Sequence, residues 1–370
     1  MIAKFEVKNF KNFDEWFRFD LTNTKNYTFR PECITKDIVG KALVYGPNGS
    51  GKSNLGFAML DLTLHLSSDR VAGTNYQYYL PIGSALTLAE FKYHFVFDGD
   101  KVCYEYGKSD RDTLVYESLT IQGEQVLNVD RRQSTKATIN LKGAETLKTD
   151  MGESSISLIT YVENNSLLDE NRQNELFQCF LKQASGMLFF RSLKDYRSVG
   201  AKLSYRTVSE FLSSENKLGH LEAFLNKAGI ECSLELMDSE PEPVLMFVKN
   251  GKKAPFADIA STGTHSLVVF YFWWQQLKAN PDISFVYIDE FDAFYHHELS
   301  RLVVNSLCEL SAQVVLTTHN TSIMSNDILR PDCYFLMDEN RIRSLANRTD
   351  KELRSAHNIE KMYRAGAFSG

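Results

Sequence analysis

Leu43-Val44-Tyr45-Gly46-Pro47-Asn48-Gly49-Ser50-Gly51-Lys52-Ser53-Asn54-Leu55 reads as a buried strand, a glycine-rich turn and the start of a helix. Gly46, Gly51, Lys52 and Ser53 fill the G-x-x-x-x-G-K-[ST] pattern. In such a loop glycines let backbone N–H groups close around phosphates, the lysine reaches the β- and γ-phosphates, and the serine hydroxyl holds Mg²⁺. The helix that begins near Lys52 adds the positive end of its dipole. Lys41–Tyr45 before the loop is β-prone, and Leu55, Ala58, Met59 and Leu62 after it carry helical spacing.

Working outward, a second apolar run, Ile283–Ile288, ends in Asp289 and Glu290. Beside a phosphate loop such a pair acts as a second Mg²⁺-associated strand, with Asp289 holding the metal through water and Glu290 orienting or deprotonating the attacking water. Gln313–Thr318 is a further buried strand, followed by His319, whose imidazole could bond a γ-phosphate. A helix over Glu298–Leu310 lies between them, with Leu299, Val303, Leu307 and Leu310 toward the sheet. Ser261-Thr262-Gly263-Thr264 precedes a helix over Ser266–Lys278 and offers hydroxyls and a glycine-freed backbone at its N-terminus.

The long stretch between Ser53 and Asp289 must be an insertion in the nucleotide-binding core. Residues 1–85 read as an N-terminal lobe carrying the loop, with strands over Lys4–Val7, Phe17–Leu21 and Lys41–Tyr45. Residues 86–160 alternate apolar and polar through Phe91, Tyr93, Phe95 and Phe97 with turns at Asp98-Gly99 and Gln122-Gly123, an antiparallel β-subdomain. Residues 161–255 turn to helical periodicity, a helical insertion with strands returning at Ser233–Leu236 and Val244–Val248. Residues 256–370 form the C-terminal lobe. Arg191, Lys194, Arg197, Lys202 and Arg206 recur at near-helical spacing, a solvated face or a contact for phosphates.

Composition narrows the class. The chain has 370 residues, 43% hydrophobic and 24% charged, enough for a sizeable core. No apolar run approaches a membrane span and the N-terminus alternates like a strand, so a cytoplasmic location is expected. Cys33, Cys103, Cys179, Cys232, Cys308 and Cys333 form no C-x-x-C pair, so structural zinc is not expected. A net charge of −6 argues against a whole-molecule attraction to nucleic acid.

Taken together, Asn9-Phe10-Lys11 after a first strand, GPNGSGKS, S-T-G-T before a helix, Y-I-D-E-F-D and T-T-H-N-T resemble the SMC-like branch of ABC ATPases. They are similar in particular to the small AAA-type ATP-binding proteins of bacterial abortive-infection and anti-phage loci, the group containing the ATPase subunit of PARIS-type systems. The tail through Met362-Tyr363-Arg364-Ala365-Gly366-Ala367-Phe368 shares that resemblance. The fold it implies is α/β, an ABC-type phosphate-loop NTPase head with an antiparallel β-subdomain and a helical insertion.

The resemblance further implies a head-to-tail dimer, or a larger homo-oligomer, with Mg·ATP sandwiched at the interface. One protomer supplies Asn48, Gly49, Ser50, Gly51, Lys52, Ser53 and Asn54, the metal-side Asp289 and the catalytic Glu290 and His319, with Lys52 also catalytic. Ser261 and Gly263 reach the nucleotide of the other protomer. Asn9, Phe10 and Lys11 lie on the adenine side, and Asp292 couples the two sites. The S-T-G-T signature departs from the transporter form, and His296-His297 stands where relatives carry His-Pro. A lobe-linking glutamine is left open among Gln77, Gln125, Gln133, Gln173 and Gln178. No fused toprim nuclease is expected after Glu290, so the implied role is a nucleotide-gated switch for a separate effector, such as a toprim-type nuclease, with a phage-encoded trigger. The competing readings are a DNA-repair or remodelling ATPase and a scaffold that barely hydrolyses.

Overall fold

In the computed structural model, residues 1–66, 78–152, 154, 156–191, 198–203, 207–214, 217–338 and 341–369 are described. The chain runs through β1 (Ile2–Lys8), β2 (Phe17–Asp20), a short hairpin of β3 (Ile34–Thr35) and β4 (Ile38–Val39), and β5 (Lys41–Tyr45) into α1 (Lys52–Leu66). Strands β6 (Ala89–Phe97), β7 (Asp100–Lys108), β8 (Leu114–Ile121), β9 (Glu124–Asp130) and β10 (Thr138–Ile139) follow, then α2 (Leu158–Asn165) and α3 (Arg172–Ser185). Next come β11 (Met187–Phe190), β12 (Val199–Gly200), α4 (Val208–Leu212), α5 (Lys217–Lys227), β13 (Ser233–Met237), β14 (Val244–Lys249), β15 (Lys252–Pro255) and α6 (Phe256–Ile259). The chain closes with α7 (Thr262–Ala279), β16 (Phe285–Ile288), α8 (His297–Cys308), β17 (Gln313–Thr318), β18 (Tyr334–Met337), β19 (Ile342–Ser344) and α9 (Ile359–Arg364).

Two seven-stranded sheets carry the architecture. The first has the order β12-β11-β16-β17-β5-β18-β19, with β11, β16, β17, β5 and β18 parallel and an antiparallel strand at each edge. Its central strands are buried end to end, as expected of a sheet covered on both faces. The second, β10-β9-β8-β7-β6-β1-β2, is antiparallel throughout and alternates buried with half-exposed residues along β6. It recruits β1 and β2 across the sequence boundary drawn near residue 85, through register pairs such as Phe5↔Tyr93 and Val7↔Phe91.

Helix α1 is clamped between the two sheets, which is why ten of its fifteen residues are buried and no polar stripe remains. On the parallel side it sits so close that a Cβ on Gly56 would lie 2.5 Å from the Phe189 ring and 2.6 Å from that of Tyr287. On the antiparallel side Tyr93 donates to the Ala58 carbonyl at 2.8 Å. Buried Asp61 accepts from Tyr79 (3.0 Å), Tyr106 (2.9 Å) and the Lys108 ammonium (3.2 Å). The helix that starts at the phosphate loop is therefore pinned to β7 by a buried ion pair.

The segment read as a helical insertion is helical only in part. Met187–Phe190 is a strand of the parallel sheet, paired with β16 from Met187↔Phe285 to Phe190↔Ile288. The expected basic helical face is not formed at Arg191 or Lys202, both in non-helical backbone, while Lys194, Arg197 and Arg206 lie outside the described residues. Cysteines far apart in sequence also meet, since Cys33 lies within hydrogen-bond reach of Cys308 and Cys333. No helix among the described residues is long and apolar enough to cross a membrane.

Glu117 gives the antiparallel sheet a pH signature. It is 1% exposed and accepts from Ser157 Oγ (2.7 Å), the Leu158 N–H (2.5 Å) and Tyr104 OH (2.8 Å) at the start of α2. Burial raises its pKa against the pull of those bonds. A carboxyl held above its unfolded value contributes stability that is fully present at acid pH and is lost as pH rises through the folded value. Relative to Glu117→Gln, the wild-type chain is therefore expected to lose stability as pH rises from about 4 towards neutrality, read as melting temperatures of the two proteins across pH. A gap that stays constant with pH would contradict it.

Candidate nucleotide site

The carboxyl ends of β5, β17 and β16 converge, and the loop from Gly46 to Gly51 hangs over them. This is where an open parallel sheet offers a ligand crevice. Gly49 and Gly51 both take positive φ, +82° and +96°. At Gly51 the chain also has no room, because a Cβ there would lie 2.4 Å from Asn12 Nδ2. Asn12 in turn accepts from Asn54 Nδ2 at 2.6 Å, clipping the N-terminal segment to the first turn of α1. Gly51→Ala is expected to displace the loop at a cost of about 1–3 kcal/mol, a roughly 5- to 150-fold loss of nucleotide affinity. Titration with a fluorescent nucleotide checks it, with circular dichroism showing an unchanged fold.

Lys52 Nζ donates to the Gly46 carbonyl at 2.8 Å and the Pro47 carbonyl at 3.0 Å, with His319 Nδ1 at 3.4 Å. Desolvation lowers its pKa, opposed by the charges of Asp289 and Glu290. Ser53 Oγ donates to Asp289 Oδ2 at 2.5 Å, and Thr317 Oγ1 donates to Asp289 Oδ1 at 2.6 Å. Burial raises the Asp289 pKa against those two bonds. The same Thr317 hydroxyl accepts the Glu290 N–H at 2.8 Å, so one side chain positions both acidic residues.

Glu290 sits at φ +45°, in the left-handed region that a non-glycine residue occupies at some cost. Its side chain is half exposed, with Oε1 3.4 Å from His319 Nε2. His319 Nδ1 lies 3.0 Å from the Gly46 carbonyl, so a neutral ring can donate to only one of these oxygens and an imidazolium to both. Asp292 accepts from Thr318 Oγ1 at 2.7 Å, and burial raises its pKa against that bond.

Asn12, Asn48, Gly49, Gly51, Lys52, Ser53, Asn54, Glu290 and His319 line one cleft of about 290 Å³. The cleft fits a nucleotide phosphate chain on two further grounds. Among the described residues, Ser50 Oγ is buried beneath the loop with no partner, and nothing lies within 4 Å of where a Cβ on Gly49 would stand. Ser53 and Asp289 supply a hydroxyl and a carboxylate, the oxygen donors Mg²⁺ takes alongside phosphates and water. No cluster of three or more His, Cys, Asp or Glu suited to a metal occurs among the described residues.

Other expected site residues fall elsewhere. Asn9 and Phe10 are fully buried. Asn9 donates to the Leu86 and Leu88 carbonyls and accepts from Ser84, while Phe10 packs edge-on against Tyr79 and Phe91. Their side chains therefore cannot meet a base. Lys11, at φ +53°, donates its N–H to the Tyr79 carbonyl and its Nζ to the Tyr78 carbonyl.

Ser261 caps α7 by accepting the Thr264 N–H at 3.2 Å, and neither it nor Gly263 lines the cleft. Gly263 instead abuts the segment after Glu290, where a Cβ would lie 3.0 Å from the Phe294 carbonyl. Of the candidate linking glutamines, Gln125, Gln133 and Gln173 bond Ser118, Asp130 and Glu124, Gln178 is exposed on α3, and Gln77 lies outside the described residues. The residue that emerges beside the β16 end is Arg191, one past Phe190, whose carbonyl accepts the Asp289 N–H at 2.8 Å. Asn12, next to Asn9-Phe10-Lys11, and Thr317, at the head of T-T-H-N-T, brace the candidate site although the sequence reading gives neither a role.

The fold is mixed α/β, with the phosphate-loop sequence at the carboxyl end of the parallel sheet. A family model described as "AAA domain, putative AbiEii toxin, Type IV TA system" matches residues 179–325. Among solved structures, the SMC head bound to the C-winged helix domain of ScpA aligns with a TM-score of 0.47 at 16% identity, covering 93% of this chain and 97% of that one. The SMC head domain from Thermotoga maritima aligns with a TM-score of 0.45 at 13% identity, covering 93% and 98%. No curated protein matches the chain.

Proposed function

We propose that the chain binds and hydrolyses ATP with Mg²⁺ between two of its own copies, and that this cycle gates a separate effector in anti-phage defence. The observation that carries the nucleotide part is the chain of bonds from Ser53 through Asp289 and Thr317 to Glu290, facing Lys52 and His319 across the loop. Bound through Ser53 and Asp289, Mg²⁺ would neutralise charge on the β- and γ-phosphate oxygens. Lys52 exchanges its loop carbonyls for phosphate oxygens. Glu290 takes up or orients the water that attacks in line. His319 donates from Nε2 to the γ-phosphate, releasing its contact with Glu290.

The dimer reading rests on Ser261 and Gly263. They form a hydroxyl-bearing N-terminus of an eighteen-residue helix outside their own cleft, where a second copy's nucleotide could meet it. The defence role is supported by the motif resemblance and by the toxin wording of the matched family. Phosphate release from Mg·ATP by the purified chain, abolished in Lys52→Ala, is the expected result for the enzymatic half. For the other half, deleting the gene from its native locus should lower phage resistance, and an unchanged plaque count would remove the defence reading.

A further inference from the structure

Away from the phosphate loop, a polar cleft of about 420 Å³ opens between the start of α8, the turn after β17 and the segment leading into α9. His297 and Arg301, one helical turn apart on α8, share a wall of it. Arg301 is half-buried and has no hydrogen-bond or ion-pair partner among the described residues, although two acids line the same cleft. Glu360 is bound to Arg364 at 2.6 Å, and Asp327 accepts from Ser325 Oγ at 3.3 Å.

The opposite rim is fixed in advance. Asn326, 6% exposed, donates from Nδ2 to the carbonyls of Arg354 (2.9 Å), Ser355 (3.2 Å) and His357 (3.2 Å). His357 Nδ1 accepts the Arg354 N–H at 3.1 Å, so the ring proton sits on Nε2 and that nitrogen is a donor. The cleft thus holds a guanidinium and an imidazole N–H with no acceptor assigned to either, in a volume of small-ligand size.

We propose that this cleft is a binding site for a small oxyanion ligand, a phosphate monoester or a carboxylate, held by Arg301 and His357 and read by the switch segment around His319. The route is short. His297 Nδ1 lies 3.2 Å from Ser322 Oγ, which donates to Asn320 Oδ1 at 2.6 Å. The Asn320 N–H donates to Thr318 Oγ1 at 2.9 Å, and that hydroxyl donates to Asp292 at 2.7 Å. His319 lies between the two bonded residues, so an occupant that moves His297 moves the residue beside the candidate catalytic histidine. This coupling rests on the nucleotide-site reading; the binding does not.

Isothermal titration of the full chain with ribose 5-phosphate and, separately, gluconate tests the binding and identifies the oxyanion. One site is expected for at least one of them. Its affinity should fall about tenfold or more in Arg301→Ala, as loss of a charge-assisted bond implies, and be unchanged in Lys52→Ala, which disables the phosphate loop. Binding by neither ligand, or equal binding by Arg301→Ala, would overturn the site. The coupling is read as ATP turnover with and without the saturating ligand. A change in the wild type that Arg301→Ala lacks supports it, and an active enzyme indifferent to the ligand refutes it. A chain with no turnover at all would fail the nucleotide reading while the titration still reports on the cleft.

Discussion

Glu290→Gln is expected to cut ATP turnover by about 10²–10⁴-fold, the contribution of a positioned general base, while nucleotide binding survives. The variant keeps the site's shape because Glu290 is held through its backbone. Its N–H goes to Thr317 and its side chain is half exposed, so an isosteric amide meets no new neighbour. Light scattering then separates three states. A mass that doubles only with Mg·ATP supports a sandwich trapped before hydrolysis and puts Ser261 and Gly263 at the interface. A mass that never changes from the monomer would sink ATP-driven self-association, and a constant larger mass would mean a preassembled scaffold on which ATP acts through shape. Turnover at the wild-type rate would remove Glu290 from the chemistry.

The second large effect is expected on stability. Asp61→Ala leaves the Lys108 ammonium, 4% exposed, without its carboxylate, and strips the acceptor from Tyr79 and Tyr106. Removing one partner of a buried pair costs about 3–5 kcal/mol, whereas replacing both by apolar residues of similar volume is often neutral. Chemical denaturation should therefore show Asp61→Ala far below wild type and the double variant Asp61→Leu, Lys108→Met close to it. A single variant within about 1 kcal/mol of wild type would mean that water or a neighbour satisfies the lysine. The comparison also asks whether the tie between α1 and the antiparallel sheet serves nucleotide binding, since the double variant removes the ion pair without loosening the fold.

The candidate site's placement was legible in the sequence wherever a motif has a fixed spacing. The phosphate loop, the Asp289–Glu290 strand end and His319 after its strand all lie where their patterns placed them, at the carboxyl ends of β5, β16 and β17. What escaped was what long-range packing decides. Met187–Phe190 is four apolar residues, one glycine after a fourteen-residue helix, and a short strand buried on both faces has no period that separates it from helix. Asn9 and Phe10 stood at a promising place in the chain, yet their chemistry is spent on the backbone of 86–88 and on an aromatic cluster. Thr317 gave no signal beyond its place in T-T-H-N-T, because a threonine closing an apolar strand is ordinary until two acidic residues are found on its hydroxyl.

The strand order also sets a timetable for biogenesis. β5, which carries the phosphate loop, emerges early, but its two neighbours in the sheet are β17 and β18. The loop's acidic partner at the end of β16 is likewise made late, so a nascent chain that ends before β17 owns the phosphate-binding sequence without either neighbour of its strand. Strand β5 must wait, unpaired, until β17 is made. Such delayed pairing slows folding and leaves a sticky strand edge open to chaperones and to other nascent chains. Products that stop before β17 and β18 are then expected to lack a mounted loop and to aggregate.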